Sequence, residues 1–344
     1  MQTGAASSGR KPRLIDVARA AGVSPKTVSN YIHDYPFMSE RTVAKVRDAI
    51  VRLGYVPNQS AQTLRTGRTG LIGLAVPDLS IPYFAELAGL VTEAAEERGL
   101  TLLIDQTKGD RERERRVVSG LGSRTLDGVI VSPMSLSADE LTKVDRTMPL
   151  VVLGERSHPA GVSYVGVDNV AAARAGTQHL IDLGRTRVAA VGRVSGRAQG
   201  TWSYRLQGCV EALRAAGLPV RAEWQSVITR FDREQGADAM TQLLTLDRPP
   251  DAVFCFSDLL AVGALLVLHE RGVRVPDDVA VIGWDDIEEA RFAWPPLSSV
   301  RADTVAVARA AVDHLLSQLR GESAESLDTY VDFTVIERAS SRGP

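Results

Sequence analysis

The chain has 344 residues, 44% hydrophobic and 24% charged, with two cysteines and a formal net charge of -2. That length accommodates two or three domains with sizeable cores, and the composition excludes a disordered, collagenous or disulfide-framed protein. No window approaches the roughly 18 uninterrupted apolar residues of a membrane span, and the opening MQTGAASSGRKPR has no apolar signal core, so a cytoplasmic protein is expected.

The charge is unevenly spread. Residues 1–68 carry 11 Lys and Arg against 4 Asp and Glu, a surplus of +7 that leaves -9 on the remainder. A basic head on an acidic body points to a polyanion as partner of the head alone. Cys209 and Cys255 sit in the apolar stretches QGCVEAL and AVFCFSD and read as core thiols; no metal and no cofactor is expected.

The first expected element is a helix in which Leu14, Val17, Ala18 and Ala21 recur on one face, ended by Gly22. Ser24 and Pro25 then supply an N-cap and a first-turn proline for a second helix carrying Val28, Tyr31 and Ile32. With Val28 and Ile32 turned toward the first helix, Pro25, Lys26, Ser29, Asn30 and His33 face outward, where a major groove would meet them. A third helix begins near Ser39 and repeats Val43, Val46, Ile50 and Leu53. Two helices joined by a tight Gly-containing turn form a helix-turn-helix. The following YVPNQSAQTL reads as a conditional helix: Pro57 starts it, two turns are too short to hold alone in water, and Leu64 has no apolar partner at helical spacing.

From Thr69 onward the rhythm changes. Apolar runs at 71–76, 100–105, 127–132, 150–154, 187–192, 251–256 and 279–284 alternate with helical patterns such as FAELAGLVTEAAEERG and DLLAVGALLVLHERG. Such alternation indicates parallel sheets covered on both faces, and this number of units suits two doubly wound subdomains. The chain is expected to leave the first subdomain near Asp168, after YVGVD, and to cross back near Pro295 to Val300; the closing VDFTVIER adds a last strand. The charged run DRERERR at 110–116 reads as a solvated helix start.

An enzyme needs a constellation that the sequence does not assemble. HExxH, P-loop, GxSxG and GxGxxG patterns are absent, and the five histidines, at 33, 158, 179, 269 and 314, have no metal-ligand spacing. Two open α/β subdomains do place a crevice at the carboxyl ends of their strands. Asp78, Asp168, Asp258, Asp285 and Asp286 follow such ends, with Trp and Phe beside them. Carboxylates accept from paired hydroxyls while aromatic faces cover apolar ring surface, so together they suit a hydroxyl-rich ligand. Each aspartate taken singly serves equally well as a helix cap or turn residue.

The chain as a whole resembles the LacI/GalR family of transcriptional regulators. The residues that carry the resemblance are the helix-turn-helix IDVARAAGVSPKTVSNYI, the hinge YVPNQSAQTL followed by RTGRTGLIGLAVPD, and the body landmarks PYFAEL, LDGVIVSP, GVDNVAAARAGTQHLIDLGRTRVAAVG, RLQGCVEALRAAGL, DAVFCFSDLLAVGAL and RVPDDVAVIGWDDIEEARFAWPPLSSV. The resemblance implies a helix-turn-helix domain at 12–56 and a hinge helix and linker at 57–68. It also implies a periplasmic-binding-protein-like type I body: an N-terminal effector subdomain of 69–168 plus about 297–328, and a C-terminal one of 169–296 plus about 329–340. In the family, the positions of Pro25, Lys26 and Asn30 make base contacts; many members have arginine where this chain has Asn30, so its operator preference should differ there. Asn30 suits an adenine edge and Lys26 a guanine, while Thr27 and Ser29 suit phosphate oxygens. The family's hinge positions match Asn58 and Ala61 along a minor groove and Leu64 as a wedge between base pairs.

The family's effector positions match Tyr83 and Phe84 of PYF, Asp168 of GVDN, Arg205 of YRLQG, Phe231 of TRFD and Asp285 of GWDD. Trp202 and Trp284 lie near them in sequence. The implied protein is a homodimeric repressor of a carbohydrate-utilisation operon, bound to a near-palindromic DNA operator and controlled by a small effector, a sugar first and a nucleobase or nucleoside second. A solute-binding protein of transport would share the body but has no use for the basic head. A dinucleotide enzyme would show a glycine-rich loop where PDLSIPYF stands.

Overall fold

A computed structural model describes residues 12–32, 35–55, 68–120, 125–144, 148–154, 161–195, 200–322 and 327–342. The chain divides into two units, Met1–Thr69 and Gly70–Pro344.

The first unit holds α1 (Leu14–Ala21), α2 (Pro25–Ile32) and α3 (Glu40–Leu53). Gly22 ends α1 at φ +66°, a left-handed conformation that glycine adopts without steric penalty. The Ser24 hydroxyl accepts the Thr27 N–H at 3.0 Å and so starts α2, while Ser39 caps α3 through the Thr42 N–H. Val17, Ala18, Val28, Val46, Ala49 and Tyr55 close a small core, and Arg52 of α3 donates to the Ala20 carbonyl at 3.2 Å. The expected hinge helix lies outside the described residues.

The second unit runs β1 (Leu71–Val76), α4 (Pro82–Glu96), β2 (Thr101–Gln106), α5 (Arg111–Ser119), β3 (Gly128–Val131), α6 (Ala138–Lys143), β4 (Leu150–Gly154) and β5 (Ser163–Val167). It continues with α7 (Asn169–Asp182), β6 (Val188–Val194), α8 (Thr201–Ala215), β7 (Gln225–Ile228), α9 (Arg233–Leu244), β8 (Ala252–Cys255), α10 (Asp258–Glu270) and β9 (Ala280–Trp284). Then follow α11 (Glu288–Phe292), β10 (Ser298–Ala302), α12 (Thr304–Arg320), β11 (Asp328–Val331), β12 (Phe333–Ile336) and α13 (Ala339–Arg342). Two six-stranded sheets result, ordered β11-β5-β4-β3-β1-β2 and β12-β10-β9-β8-β6-β7. The pairing is parallel except for β12, which runs antiparallel to β10. Strands β3, β8 and β9 are buried along their whole length, as sheets covered by helices on both faces require.

The chain passes between the sheets at Asp168, Asp303 and Asp332, one aspartate per crossing. Asp168 caps α7 by accepting from the Ala171 N–H, and Asp303 caps α12 by accepting from the Ala306 N–H, both at 2.9 Å. The Asp303 N–H donates to the Asp332 carbonyl at 2.9 Å, so two of the three crossings are tied to each other. The boundaries expected at about 297 and 328 therefore move. β10 pairs with β9, in register Ser298 to Ile282, and belongs to the second sheet; β11 pairs with β5 in the first. The stretch DTYVDFTVI makes two short strands, divided between the sheets at Asp332.

The run at 110–116 does open a helix, with the Asp110 carboxylate capping α5, but it is not wholly solvated. Glu114 is fully buried, and its carboxylate accepts the N–H groups of Met134, Ser135 and Leu136 at 2.8, 2.9 and 2.9 Å. Both cysteines are free and buried; burial pushes the Cys209 thiol up to about 12. No helix among the described residues is long and apolar enough to cross a membrane.

Candidate functional site

In the first unit the side chains expected to meet DNA lie on α2. Val28 points inward and is fully buried, which leaves Pro25 and Lys26 exposed and Thr27, Ser29 and Asn30 half-buried. The Thr27 hydroxyl lies 2.8 Å from the Ser24 hydroxyl, so it shares in starting the helix. Lys26 and Asn30 are one helical turn apart and stand on the same side, the spacing that lets a short helix address neighbouring base edges. His33, Asn58, Ala61 and Leu64 lie outside the described residues.

In the second unit a cavity of about 470 Å³ opens at the carboxyl ends of both sheets, within the size range of small-molecule sites. β1 delivers Asp78 and the first turn of α4, where Pro82 fixes the helix start and Tyr83 and Phe84 follow. The two rings meet edge to face with centroids 5.1 Å apart. Asp78 accepts the Ser80 N–H at 2.9 Å and the Lys108 ammonium at 3.1 Å, and these bonds hold its carboxyl below the usual range. Lys108 reaches the rim from a left-handed backbone, φ +56°.

The opposite wall comes from the second sheet. Arg205 of α8 is only 8% exposed, and its guanidinium is held by the chain itself. Its Nε donates to Asn169 at 3.1 Å, one Nη donates to the Phe256 carbonyl, and the plane lies 4.0 Å over the Trp284 ring. Phe231 precedes α9 and Asp285 follows β9. The Trp202 indole N–H, in the same wall, is buried and has no hydrogen-bond partner among the described residues.

Five of the six expected effector positions, Tyr83, Phe84, Arg205, Phe231 and Asp285, thus line one cleft. Asp168 does not: its exposed carboxylate caps α7 at the crossing. Asp258 and Asp286, expected at the crevice, are buried behind it; Asp286 pairs with Arg338 at 2.6 Å. Asn169, Phe256 and Lys108 were not singled out from sequence. Asn169 follows the crossing aspartate and Phe256 follows β8, positions that signal proximity to the cleft only once the sheet order is known.

A helix-turn-helix unit joined to a two-sheet body with a ligand-sized cleft defines a DNA-binding regulator with a sensory domain. The chain belongs to the LacI family of bacterial transcriptional repressors. Residues 13–58 match the family described as bacterial regulatory proteins, lacI family, and residues 177–341 match the periplasmic binding protein-like domain. The HTH-type transcriptional repressor PurR of Pectobacterium carotovorum subsp. carotovorum is 34% identical over 94% of this chain and 95% of its own length. The ribose operon repressor of Escherichia coli is 32% identical over 95% and 98%. Among solved structures, a complex of the transcriptional regulator CelR with cellobiose is 33% identical, covers 96% of this chain and 99% of that one, and superposes with a TM-score of 0.71.

Proposed function

We propose that this repressor binds a near-palindromic operator as a homodimer through Lys26 and Asn30 of α2, and that a sugar in the body cleft controls that binding. The observation that carries the sugar reading is the pairing of Arg205 and Asp285 with the aromatic faces of Tyr83, Phe84, Trp202 and Phe231 around one cavity. A guanidinium fork and a carboxylate address vicinal hydroxyls from two sides, while the rings cover the apolar faces of a pyranose or furanose. A relative solved in complex with cellobiose, another with bound sucrose, and one named for a ribose operon support it. Asp168 acts at the crossing, where it shapes the hinge between subdomains. Thr27 and Ser29 reach phosphates, and Asn58, Ala61 and Leu64 engage the minor groove. Leu103 and Ile104, exposed on the edge strand β2, offer an apolar strip to a second copy. Partnership with DNA places the protein in the cytoplasm.

A ligand changes operator affinity only through its differential affinity for the open and closed bodies. Selection of sites from random DNA, followed by calorimetry with cellobiose, sucrose, glucose, ribose and a nucleobase, tests the proposal. A palindromic site and saturable binding of one sugar are expected. Enrichment of no palindrome overturns the operator reading; binding of the nucleobase alone replaces the sugar by a flat ring stacked on Phe231.

A further inference from the structure

The turn that carries Asp285 is conformationally expensive. Asp285 and Asp286 are consecutive residues at φ +108° and +54°, where side chains other than glycine's are disfavoured. The surroundings pin it from several sides. The Asp285 N–H donates to the Val300 carbonyl at 2.9 Å, the Asp286 N–H to the Ser299 hydroxyl at 3.0 Å, and the Ile287 N–H to the Asp258 carboxylate at 2.9 Å. The Ser299 hydroxyl in turn donates to the other Asp258 oxygen at 2.7 Å. Asp258, the first residue of α10, has no exposed surface and reaches the turn across β9. Gly283 makes that crossing possible, because a Cβ there would lie 2.0 Å from Asp258 Oδ1.

We propose that Asp258 is a positioning residue of the effector cleft: its buried carboxylate, bound to the Ser299 hydroxyl and the Ile287 N–H, holds the strained turn so that Asp285 stands in the cleft wall. This rests on the reading that Asp285 meets the effector. Both oxygens of the carboxylate act as acceptors, so the arrangement needs the ionised form; adding a proton removes an acceptor and releases one side of the turn.

The charged groups around it are defined. Arg338, before α13, pairs with Asp286 at 2.6 Å, and Arg301 of β10 lies 3.5 Å from the second Asp286 oxygen, beyond hydrogen-bonding geometry but within coulombic reach. Cys255 of β8 lies on the other side, its thiol pushed up by burial and then by the Asp258 charge. Glu86 of α4, with Glu288 and Arg291 of α11, lies in the same field around Asp286. Burial pushes Asp258 itself up to about 7 against the two hydrogen bonds it accepts, so the switch from held to released turn falls near neutrality.

The test compares full-length wild type with Asp258→Asn and Ser299→Ala. Without ligand, the Ile287 methyl signal and the amide signals of Asp286 and Ile287 are followed by NMR from pH 5.5 to 8.5. With ligand, calorimetry reads cellobiose, sucrose, glucose and ribose over the same range. In wild type the reporter signals should move with a midpoint near pH 7. In Asp258→Asn they should start displaced and stay flat. Sugar affinity should fall as pH drops through that midpoint in wild type, and should be about tenfold weaker or more and pH-independent in Asp258→Asn. Ser299→Ala should displace the Asp286 amide and weaken sugar binding while keeping a titration. Unchanged turn signals in Asp258→Asn, or wild-type sugar affinity with the wild-type pH profile, would overturn the proposal. If no sugar binds wild type while the turn signals behave as described, the sugar reading fails and the positioning of the turn by Asp258 stands.

Discussion

At the scale of single residues, the wall of the body cleft sets strained backbone beside buried charge, at Asp285 and Asp286. Asp285 keeps a left-handed backbone that glycine would adopt more readily. Asp285→Gly is therefore expected to raise the melting temperature slightly, by relief of about 1 kcal/mol or more of backbone strain, and to weaken effector binding at least tenfold through loss of the carboxylate. Parallel thermal melts and calorimetry check both halves; a variant that loses stability and keeps affinity would show that the conformation, and not the carboxylate, is what this position supplies. Arg205 follows the same logic. Asn169, Phe256 and Trp284 hold its guanidinium before any ligand arrives, so its ordering cost is met in the folded state.

At the scale of elements, patterns of apolar periodicity located the strands to within a residue or two, because buried parallel strands are continuous apolar runs. β1 and β4 coincide with LIGLAV and LVVLG. β7 escaped that reading because it is an edge strand, half exposed, in QSVI. The boundaries that the resemblance implies put β10 and β11 in the wrong subdomains, since short strands such as SSVRA and DTYV have no feature that tells one sheet from another. The charged run before α5 misled in a different way. Glu114 looks like one more surface charge, and its burial depends on three N–H groups of the 134–136 loop converging on it. Glu114→Ala should cost about 3 kcal/mol or more by leaving those donors without their acceptor. Glu114→Gln, which keeps one acceptor oxygen, should cost less. Chemical denaturation of the two variants gives the comparison, and equal costs would mean that the loop finds other partners.

At the scale of the whole molecule, buried titratable groups make stability depend on pH in both senses. Burial holds His179 and His314 below the usual histidine range. The stability gained by keeping them neutral is complete above their unfolded value of about 6.5 and is lost as pH falls through it. Asp258 is raised, so its contribution is complete below its unfolded value of about 3.9 and is lost as pH rises toward about 7. As pH rises toward about 7 the histidines therefore raise the melting temperature and Asp258 lowers it. His314→Leu is expected to remove part of the rise and Asp258→Asn the fall. Differential scanning calorimetry from pH 5 to 8 reads both; a wild-type profile in either variant would remove that group from the account.

The sequence by itself determined the division into a basic helical head and an acidic α/β body. It also determined the caps of α2 and α3, because local periodicity, turn chemistry and charge are properties of neighbours along the chain; the five expected residues that line the cleft follow only from the family resemblance. Only the tertiary structure decided which aspartates stand in the cleft. Asp168, Asp258, Asp285 and Asp286 all follow apolar runs in the same manner, yet one caps a helix at a crossing, one braces a turn from behind, one faces the cavity and one pairs with Arg338. Their roles depend on which backbone N–H groups, hydroxyls and cations arrive from distant strands, and sheet order, not sequence spacing, brings those groups together.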